Sequence, residues 1–224
     1  MCGRFVFFSD LGEIAEELHA AGAAEPDGPR YNIAPTQTAP VVIDEGDGQK
    51  ILMMKWGLIP SWAKDPAIGS KMINARAETL AEKPSYRAAL KKRRCLVPAN
   101  GFYEWQLLPT KKKQPLYITL GRQRFFTMAG LWESWKNPDG QSLQTFTIIT
   151  IPSAVPVSRH HDRMPAILVG ENRRLWLDGK LSPHDLIEEL SYDNRLPLEL
   201  TPVSPAVNSP SNDYPELLLP LDES

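Results

Sequence analysis

The chain has 224 residues, of which 42% are hydrophobic and 23% charged, and its formal net charge is −2. These values are typical of a folded domain, and they exclude binding to nucleic acid through bulk charge, so any such site is a local basic patch. Two cysteines supply neither a disulfide scaffold nor four metal ligands, and no apolar run reaches the ~18 residues of a membrane helix. The apolar stretch at the amino terminus is too short for a secretory signal. We therefore expect a cytoplasmic protein that needs no membrane, metal or cofactor.

The predicted elements are short and begin with a helix over Leu11–Leu18. Asp10 is a natural N-cap with Glu13 three residues later, and apolar residues then recur on one face. Strands are predicted at Ala39–Ile43, Lys50–Trp56, Cys95–Val97, Gly101–Gln106, Leu116–Leu120, Phe125–Leu131 and Thr145–Ile151. Further helices are predicted at Ser85–Lys91 behind Pro84, at Glu171–Leu177, and at Pro183–Leu190 with Ser182 as its cap.

The 21 prolines are spread along the chain, which favours many short strands over a helical bundle. We predict an α+β fold, a single domain with a mostly antiparallel, barrel-like sheet and flanking short helices. The segment from Ser204 to Ser224 is rich in Pro, Ser and Asn, and we expect extended chain lying on the surface. We take residues 1–210 as the domain and residues 211–224 as a tail packed on it or extending from it.

A cysteine follows the initiator methionine, which is generally removed when the next residue is small. The mature chain would then begin with Cys2, whose α-amine and thiol have reference pKa values of ~7.7–8 and ~8.5. The amine can condense with an aldehyde to an imine, and the tethered thiolate can close a five-membered thiazolidine ring. An N-terminal nucleophile could instead attack a carbonyl in hydrolysis, with its own amine as the base. Cys2 could also be incidental.

Six motifs along the chain argue against an incidental Cys2. They are MCGRF (1–5), RYNIAP (30–35), WGLIPSW (56–62), INARAET (73–79), PANGFYEW (98–105) and HDRMP (161–165). In this order they closely resemble the SOS response-associated peptidase (SRAP) family, the abasic-site processing proteins. The resemblance runs from residue 2 to about residue 210.

The resemblance implies a protein that recognises abasic sites in single-stranded DNA and links itself to them covalently. The open-chain abasic sugar carries an aldehyde, and the implied product is a reversible thiazolidine between Cys2 and C1′ that protects the lesion from strand cleavage. Imine chemistry at Cys2 could also support a lyase activity. The alternatives are an autoproteolytic cysteine peptidase that removes Met1, and a noncovalent module that binds single-stranded or modified DNA.

Glu104 and Asn74 are the next catalytic candidates. Strand alternation places Phe102 and Glu104 on one face and Tyr103 and Trp105 on the other. Glu104 is either a solvent-facing glutamate in a salt bridge or an acid partly desolvated by aromatic neighbours, which suits proton transfer. By resemblance, Glu104 is the acid/base that helps to open the sugar ring, and Asn74 holds the Cys2 amine or a sugar oxygen.

His161 completes the catalytic candidates, and its neighbour His160 complicates the assignment. The family motif His-x-Arg-Met-Pro aligns with His161, and an imidazole near the sugar could move a proton. The residue before this histidine is typically aliphatic in the family. In extended chain the side chain of His160 would point the opposite way.

The predicted DNA contacts follow from residue type, because guanidinium groups bind phosphates and aromatic faces stack on bases. By resemblance they are Arg4, Trp62, Arg76, Trp105 and Arg163. The basic runs at 91–94 and 111–113 lie outside the motifs, and we interpret them as solvated loops or helix ends. We expect a monomer whose partner is single-stranded DNA with abasic sites.

Overall fold

Two sheets form the framework of the computed structural model, which describes residues 2–22, 28–191 and 196–221, without the side chains of 189–191. The strands are β1 (Arg4–Phe7), β2 (Ala20–Ala21), β3 (Arg30–Ile33), β4 (Thr38–Asp44), β5 (Gln49–Trp56), β6 (Asn74–Arg76), β7 (Arg94–Ala99), β8 (Gly101–Leu107), β9 (Lys113–Leu120), β10 (Phe126–Lys136), β11 (Ser142–Pro152), β12 (Arg163–Pro165), β13 (Ile167–Leu168) and β14 (Leu198–Pro202). The α-helices are α1 (Leu11–Glu17), α2 (Pro84–Lys92), α3 (Glu171–Leu177) and α4 (Pro183–Ser191).

The first sheet has the strand order β14-β9-β8-β1-β3, and the second follows the path β12-β11-β10-β7-β4-β5-β2. Most neighbours are antiparallel, whereas β6 and β5 pair in parallel with β11, and β2 in parallel with β5. The expected single α+β domain with a mostly antiparallel, barrel-like sheet is confirmed. No helix among the described residues is both long and apolar enough to cross a membrane.

The first sheet is covered on both faces, because successive residues of its strands point to opposite sides. On one side Phe5 joins the main core, where its ring meets Trp56 edge-on at 5.1 Å between centroids. On the other side Val6 and Tyr103 join a smaller cluster with Val207 from the carboxyl-terminal segment. The central strands of this sheet are therefore held rigidly from two sides.

The predicted helices and strands are present, with ends that shift by a few residues. Asp10 caps α1 as expected, since its Oδ1 accepts from the backbone N–H groups of Gly12 at 2.7 Å and Glu13 at 3.1 Å. The Oγ of Ser182 likewise accepts from the N–H of Asp185 at 3.1 Å and caps α4. Both caps involve residues within one helical turn, so they can be predicted from the local sequence.

The expectation of an extended surface tail is wrong for the described part of that segment. Two 3₁₀ helices, Pro205–Asn208 and Pro215–Leu218, bury the side chains of Val207 and Leu217 completely. The tail packs because the fully buried amide of Asn32 donates to the carbonyls of Val207, Ser209 and Asn212 at 2.7–3.1 Å. We call residues 205–213 the C-terminal strap. Residues 222–224 of the predicted tail lie outside the described residues.

Candidate active site

Cys2 lies at the point where the first sheet begins. Strand β1 starts at Arg4, opposite Tyr103 of β8, so the edge of β8 beyond Tyr103 faces Cys2 instead of a paired strand. The Cys2 side chain is completely buried, and its Sγ lies 3.6 Å from the carbonyl oxygen of Arg4. Burial raises the pKa of the Cys2 thiol, and the nearby Glu104 carboxylate raises it further. The thiol is therefore held protonated at neutral pH, and a base must remove its proton before it reacts.

Asn74 fixes the backbone of Cys2 from the opposite sheet. It begins β6, which pairs in parallel with β11 and sets Asn74 opposite Ile148. Its Nδ2 donates to the carbonyl oxygen of Cys2 at 2.8 Å. No donor among the described residues reaches its buried Oδ1. A buried acceptor of this kind is suited to an N–H or O–H group brought by the reacting molecules.

Glu104 is buried beside Cys2, with only 2% of its surface exposed. The predicted alternation is confirmed, because Phe102 lies in the main core while Tyr103 and Trp105 lie in the smaller cluster. The solvent-facing interpretation of Glu104 is therefore wrong. Burial raises the pKa of this carboxyl group to about 7, with a further contribution from the Asp162 carboxylate. A group with this pKa both donates and accepts protons near neutral pH.

His161 faces the same carboxyl group. Its Nε2 lies 3.9 Å from Oε2 of Glu104, and its Nδ1 lies 3.0 Å from Oδ1 of Asp162. Burial lowers the pKa of this imidazole below its ordinary value. The pair thus combines a carboxyl group that holds its proton unusually well with an imidazole that remains neutral.

The local path at the two histidines is not extended, so the orientation predicted for His160 from extended chain does not apply. A 3₁₀ turn, Val157–Arg159, precedes them, and the N–H groups of both His160 and His161 donate to the carbonyl of Val157 at 2.9 and 3.0 Å. His161 lines the cleft beside Glu104, and His160 does not.

The three arginines predicted to contact DNA differ in what holds them. Arg76 is exposed. Arg4 donates to Oδ1 of Asn32 at 2.8 Å and to the carbonyls of strap residues Val207 and Asn208 at 2.7 and 3.0 Å. Arg163 is buried and pairs with Glu78 through both arms of its guanidinium, while also donating to the carbonyl of Thr150 at 2.6 Å. Arg76 therefore has the guanidinium that is open to a phosphate.

The two predicted stacking residues also lie in different surroundings. Trp62 is 60% exposed, an unusual position for a large aromatic ring in a folded protein. Trp105 is half-buried, and its Nε1 donates to Oδ1 of Asn208 on the C-terminal strap at 2.7 Å. Both rings present an aromatic surface to solvent.

A cleft of about 410 Å³ brings together three of the predicted site residues, Glu104, Trp105 and His161, whereas Cys2, Asn74 and the other predicted DNA contacts do not line it. Its lining residues are Glu104, Trp105, Lys113, His161 and Asn208. The cleft has room for a sugar and brings a proton donor, an aromatic ring and a cation to one place. A family model for SOS response associated peptidases (SRAP) matches residues 1–210 of the chain.

The chain belongs to the SRAP family.

Relatives within this family share most of the chain. The abasic site processing protein YoqW of Bacillus subtilis strain 168 is 45% identical over 223 residues, which cover 97% of this chain and 99% of YoqW. The abasic site processing protein HMCES of Rattus norvegicus is 36% identical over 87% of this chain, and the match spans 65% of HMCES. A crystal structure of a protein from Bacteroides thetaiotaomicron superimposes with a TM-score of 0.82 at 26% identity, over 98% of this chain and 100% of the other.

Sequence reasoning missed two residues of this SRAP cleft, Lys113 and Asn208. Lys113 belongs to a basic run that we interpreted as a solvated loop, and Asn208 belongs to the segment expected on the surface. Val207 beside Asn208 is an apolar residue in a polar tail, which was the available signal that this segment packs. The described residues contain no group of three or more His, Cys, Asp or Glu side chains able to hold a metal ion.

Proposed function

We propose that this protein processes abasic sites by binding single-stranded DNA and forming a reversible thiazolidine crosslink through Cys2. One observation carries the proposal: a fully buried Cys2, held by Asn74, lies beside a carboxyl group whose pKa is about 7. A thiol that only packs in a core needs no titratable partner. The names of the relatives, abasic site processing proteins, support the same substrate.

The chemistry requires removal of Met1, a residue outside those that the structure describes, so that the α-amine of Cys2 is free. The amine attacks the C1′ aldehyde, and loss of water gives an imine. Sγ then adds to the imine carbon while the thiol proton goes to the imine nitrogen, which closes the ring. Aldehyde, amine and thiol thus give one thiazolidine and one water, and the reverse sequence releases the DNA.

Glu104 moves protons in this sequence. In its protonated form it supplies the proton for opening of the sugar ring and for departure of water. As a carboxylate it takes the proton of the Cys2 thiol, whose raised pKa makes such a base necessary. His161 exchanges protons with Glu104 or the sugar, and the open Oδ1 of Asn74 accepts from the Cys2 amine or a sugar hydroxyl.

The DNA strand is bound by a few side chains, since the net charge is −2. Arg76 contacts a phosphate directly, and Trp62 and Trp105 stack on bases. Arg4 and Arg163, whose guanidinium groups are already bonded within the protein, contribute by holding the strap and the β11–β12 region in place. The protein acts as a monomer in this proposal.

The test is the intact mass of the mature protein before and after incubation with an abasic single-stranded oligonucleotide. We expect one covalent adduct per chain, absent in Cys2→Ala. Cys2→Ser keeps the amine but closes a ring poorly, so it should lose the stable adduct and retain an imine that borohydride traps.

Cys95→Ala is the matched control, because Cys95 is the other buried cysteine and lies on β7. It should form the adduct like the unaltered protein. A heat-stable adduct from Cys2→Ala would refute the thiazolidine, and cleavage of peptides without any DNA adduct would favour the autoproteolytic peptidase. Equal binding with no covalent species in any variant would favour the noncovalent module.

A further inference from the structure

The outer wall of the cleft is formed by three side chains from three segments. Trp105 on β8 pairs directly with Pro115 on β9, and Lys113 lies two residues before Pro115 on the same strand. Residues two apart on a strand share a face, so Lys113 is the diagonal neighbour of Trp105. Asn208 reaches the same ring from the C-terminal strap through the hydrogen bond to its Nε1.

The bond between Trp105 and Asn208 fixes the orientation of the Asn208 amide. An indole N–H can only donate, so the atom that faces it at 2.7 Å is the amide oxygen. The two N–H groups of Nδ2 are therefore directed away from the indole nitrogen. Asn208 is exposed, and no acceptor among the described residues takes these hydrogens.

Lys113 adds a positive charge beside this amide. It is exposed, and within the part of the chain that the structure describes its Nζ makes no hydrogen bond or ion pair. Lysine and the amide Nδ2 offer only donors, so the wall is suited to an anion with several acceptor oxygens. The nearest acid of the lining, Glu104, has a pKa raised to about 7 and so opposes an anion less than an ordinary glutamate.

We propose that Lys113 and Asn208 bind a phosphodiester that flanks the abasic sugar, while Trp105 stacks on the base of the neighbouring nucleotide that this phosphodiester joins to it. This inference rests on the proposed function for its substrate, because the strand must enter the cleft beside Cys2. It assigns one lysine of the run 111–113 to DNA and leaves the other two in solvent.

The first test compares Lys113→Gln with Lys112→Gln. Lys112 is the adjacent exposed lysine and does not line the cleft, and among the described residues its one hydrogen bond is that of its backbone carbonyl with the N–H of Leu108. The probe is a single strand with a tetrahydrofuran abasic analogue, which has no aldehyde, so binding is measured without chemistry. We expect Lys113→Gln to raise Kd by about three- to tenfold and to lower the salt slope by about 0.7, the share of one phosphate contact. Lys112→Gln should change neither.

The second test separates phosphate binding from mere support of the indole. Asn208→Asp keeps the acceptor for Trp105 Nε1 but replaces both donors with negative charge, whereas Asn208→Ala removes acceptor and donors alike. A bound phosphate predicts that Asn208→Asp weakens binding more than Asn208→Ala. If Asn208 only orients the ring, the order reverses, and that result would overturn its assignment.

A single methylphosphonate linkage then locates the contact. Where this linkage replaces the phosphodiester that Lys113 contacts, it removes one phosphate charge. The difference in Kd between the unaltered protein and Lys113→Gln should then disappear. A difference that persists for linkages on both flanks would overturn the phosphate assignment. Because the analogue cannot crosslink, these binding results do not depend on the outcome of the adduct test with the Cys2 variants.

Discussion

Oε2 of Glu104 and Nε2 of His161 lie 3.9 Å apart, and burial inverts the usual order of their titration. It raises the pKa of the carboxyl group to about 7 and lowers that of the imidazole below its ordinary value of 6.5. Near pH 6.5 the pair therefore consists of a neutral carboxylic acid facing a neutral imidazole. With their ordinary pKa values in water, the carboxyl group would be ionised and the imidazole about half protonated at that pH. Burial thus favours a proton on the glutamate over one on the imidazole.

The pH dependence of crosslinking should report this proton. In the proposed sequence the protonated form of Glu104 supplies the proton for ring opening, so the single-turnover rate should fall as the pH rises above about 7. Glu104→Gln should lower the rate by about 10²–10⁴-fold and remove that dependence. The measurement is adduct formation at saturating DNA between about pH 5.5 and 8.5. A Gln variant that kept the same falling limb would assign the titrating group elsewhere.

The stability of the protein should also depend on Glu104. A carboxyl group with a native pKa of about 7 and an ordinary unfolded value near 4.5 binds more protons in the folded state between these limits. The contribution of Glu104 to the free energy of unfolding is therefore complete below about pH 4.5, and it is lost as the pH rises towards 7. The loss amounts to about 3 kcal/mol, at ~1.4 kcal/mol per pKa unit. Urea unfolding should show this trend in the unaltered protein and not in Glu104→Gln.

The two adjacent histidines should differ in their effect on rate. His161 faces Glu104 across the cleft, so His161→Ala should slow adduct formation or its reversal by about 10²–10⁴-fold. His160 does not line the cleft, so His160→Ala should change either rate by less than about tenfold, or ~1.4 kcal/mol. Unchanged affinity for the tetrahydrofuran analogue is the control. A large defect confined to His160→Ala would show that the family motif was aligned to the wrong residue.

Substitution of Arg76 should affect mainly DNA binding, whereas substitution of Arg163 should affect mainly the stability of the fold. Arg76 is exposed, so Arg76→Ala should lower the salt slope of binding by about 0.7 and leave the free energy of unfolding within ~0.5 kcal/mol. Arg163 is buried against Glu78 and Thr150, so Arg163→Ala should lower the free energy of unfolding by about 1–3 kcal/mol with little change in slope. Salt titrations and urea unfolding of both variants check this. An equal loss of slope would place Arg163 on the DNA as well.

Removal of the buried amide that anchors the strap should affect stability and chemistry together. Asn32→Ala leaves the carbonyls of Val207, Ser209 and Asn212 without their donor and should cost about 1–3 kcal/mol in the free energy of unfolding. Because the strap carries Asn208, affinity for the abasic analogue should fall as well. A variant with lowered stability and normal affinity would show that the other contacts of the strap, such as those of Arg4 and Asp213, are enough to keep it in position.

Local chemistry explains what could be predicted from the sequence. The cap of α1 depends on Asp10 and residues within one turn, and the two faces of β8 depend on strand alternation through Phe102 and Glu104. How deeply Glu104 is buried depends on neighbours from distant segments. The sequence alone therefore allows either a solvent-facing glutamate or a desolvated acid with a raised pKa, and the structure excludes the first of these.

Contacts between distant segments explain what could not be predicted. Asn208 meets Trp105 across 103 positions of the chain, and no pattern near either residue indicates the other. A segment rich in Pro, Ser and Asn can be either a solvated tail or a strap packed on the domain. Here it packs because the buried amide of Asn32 donates to its carbonyls. Lys113 and Lys112 are likewise equivalent in sequence, and only the register of β8 and β9 separates them.

Arg4 bonds to a carbonyl 203 positions later in the chain, and this separation has a consequence for synthesis. A ribosome adds about 5–20 residues per second, so roughly 10–40 s pass between the appearance of Arg4 and that of Val207. During this interval Arg4 lacks its strap partners, and the wall that Asn208 completes does not exist. A nascent chain therefore carries Cys2 before it carries a finished cleft, and under the proposed function it can recognise an abasic site only once the strap has been synthesised.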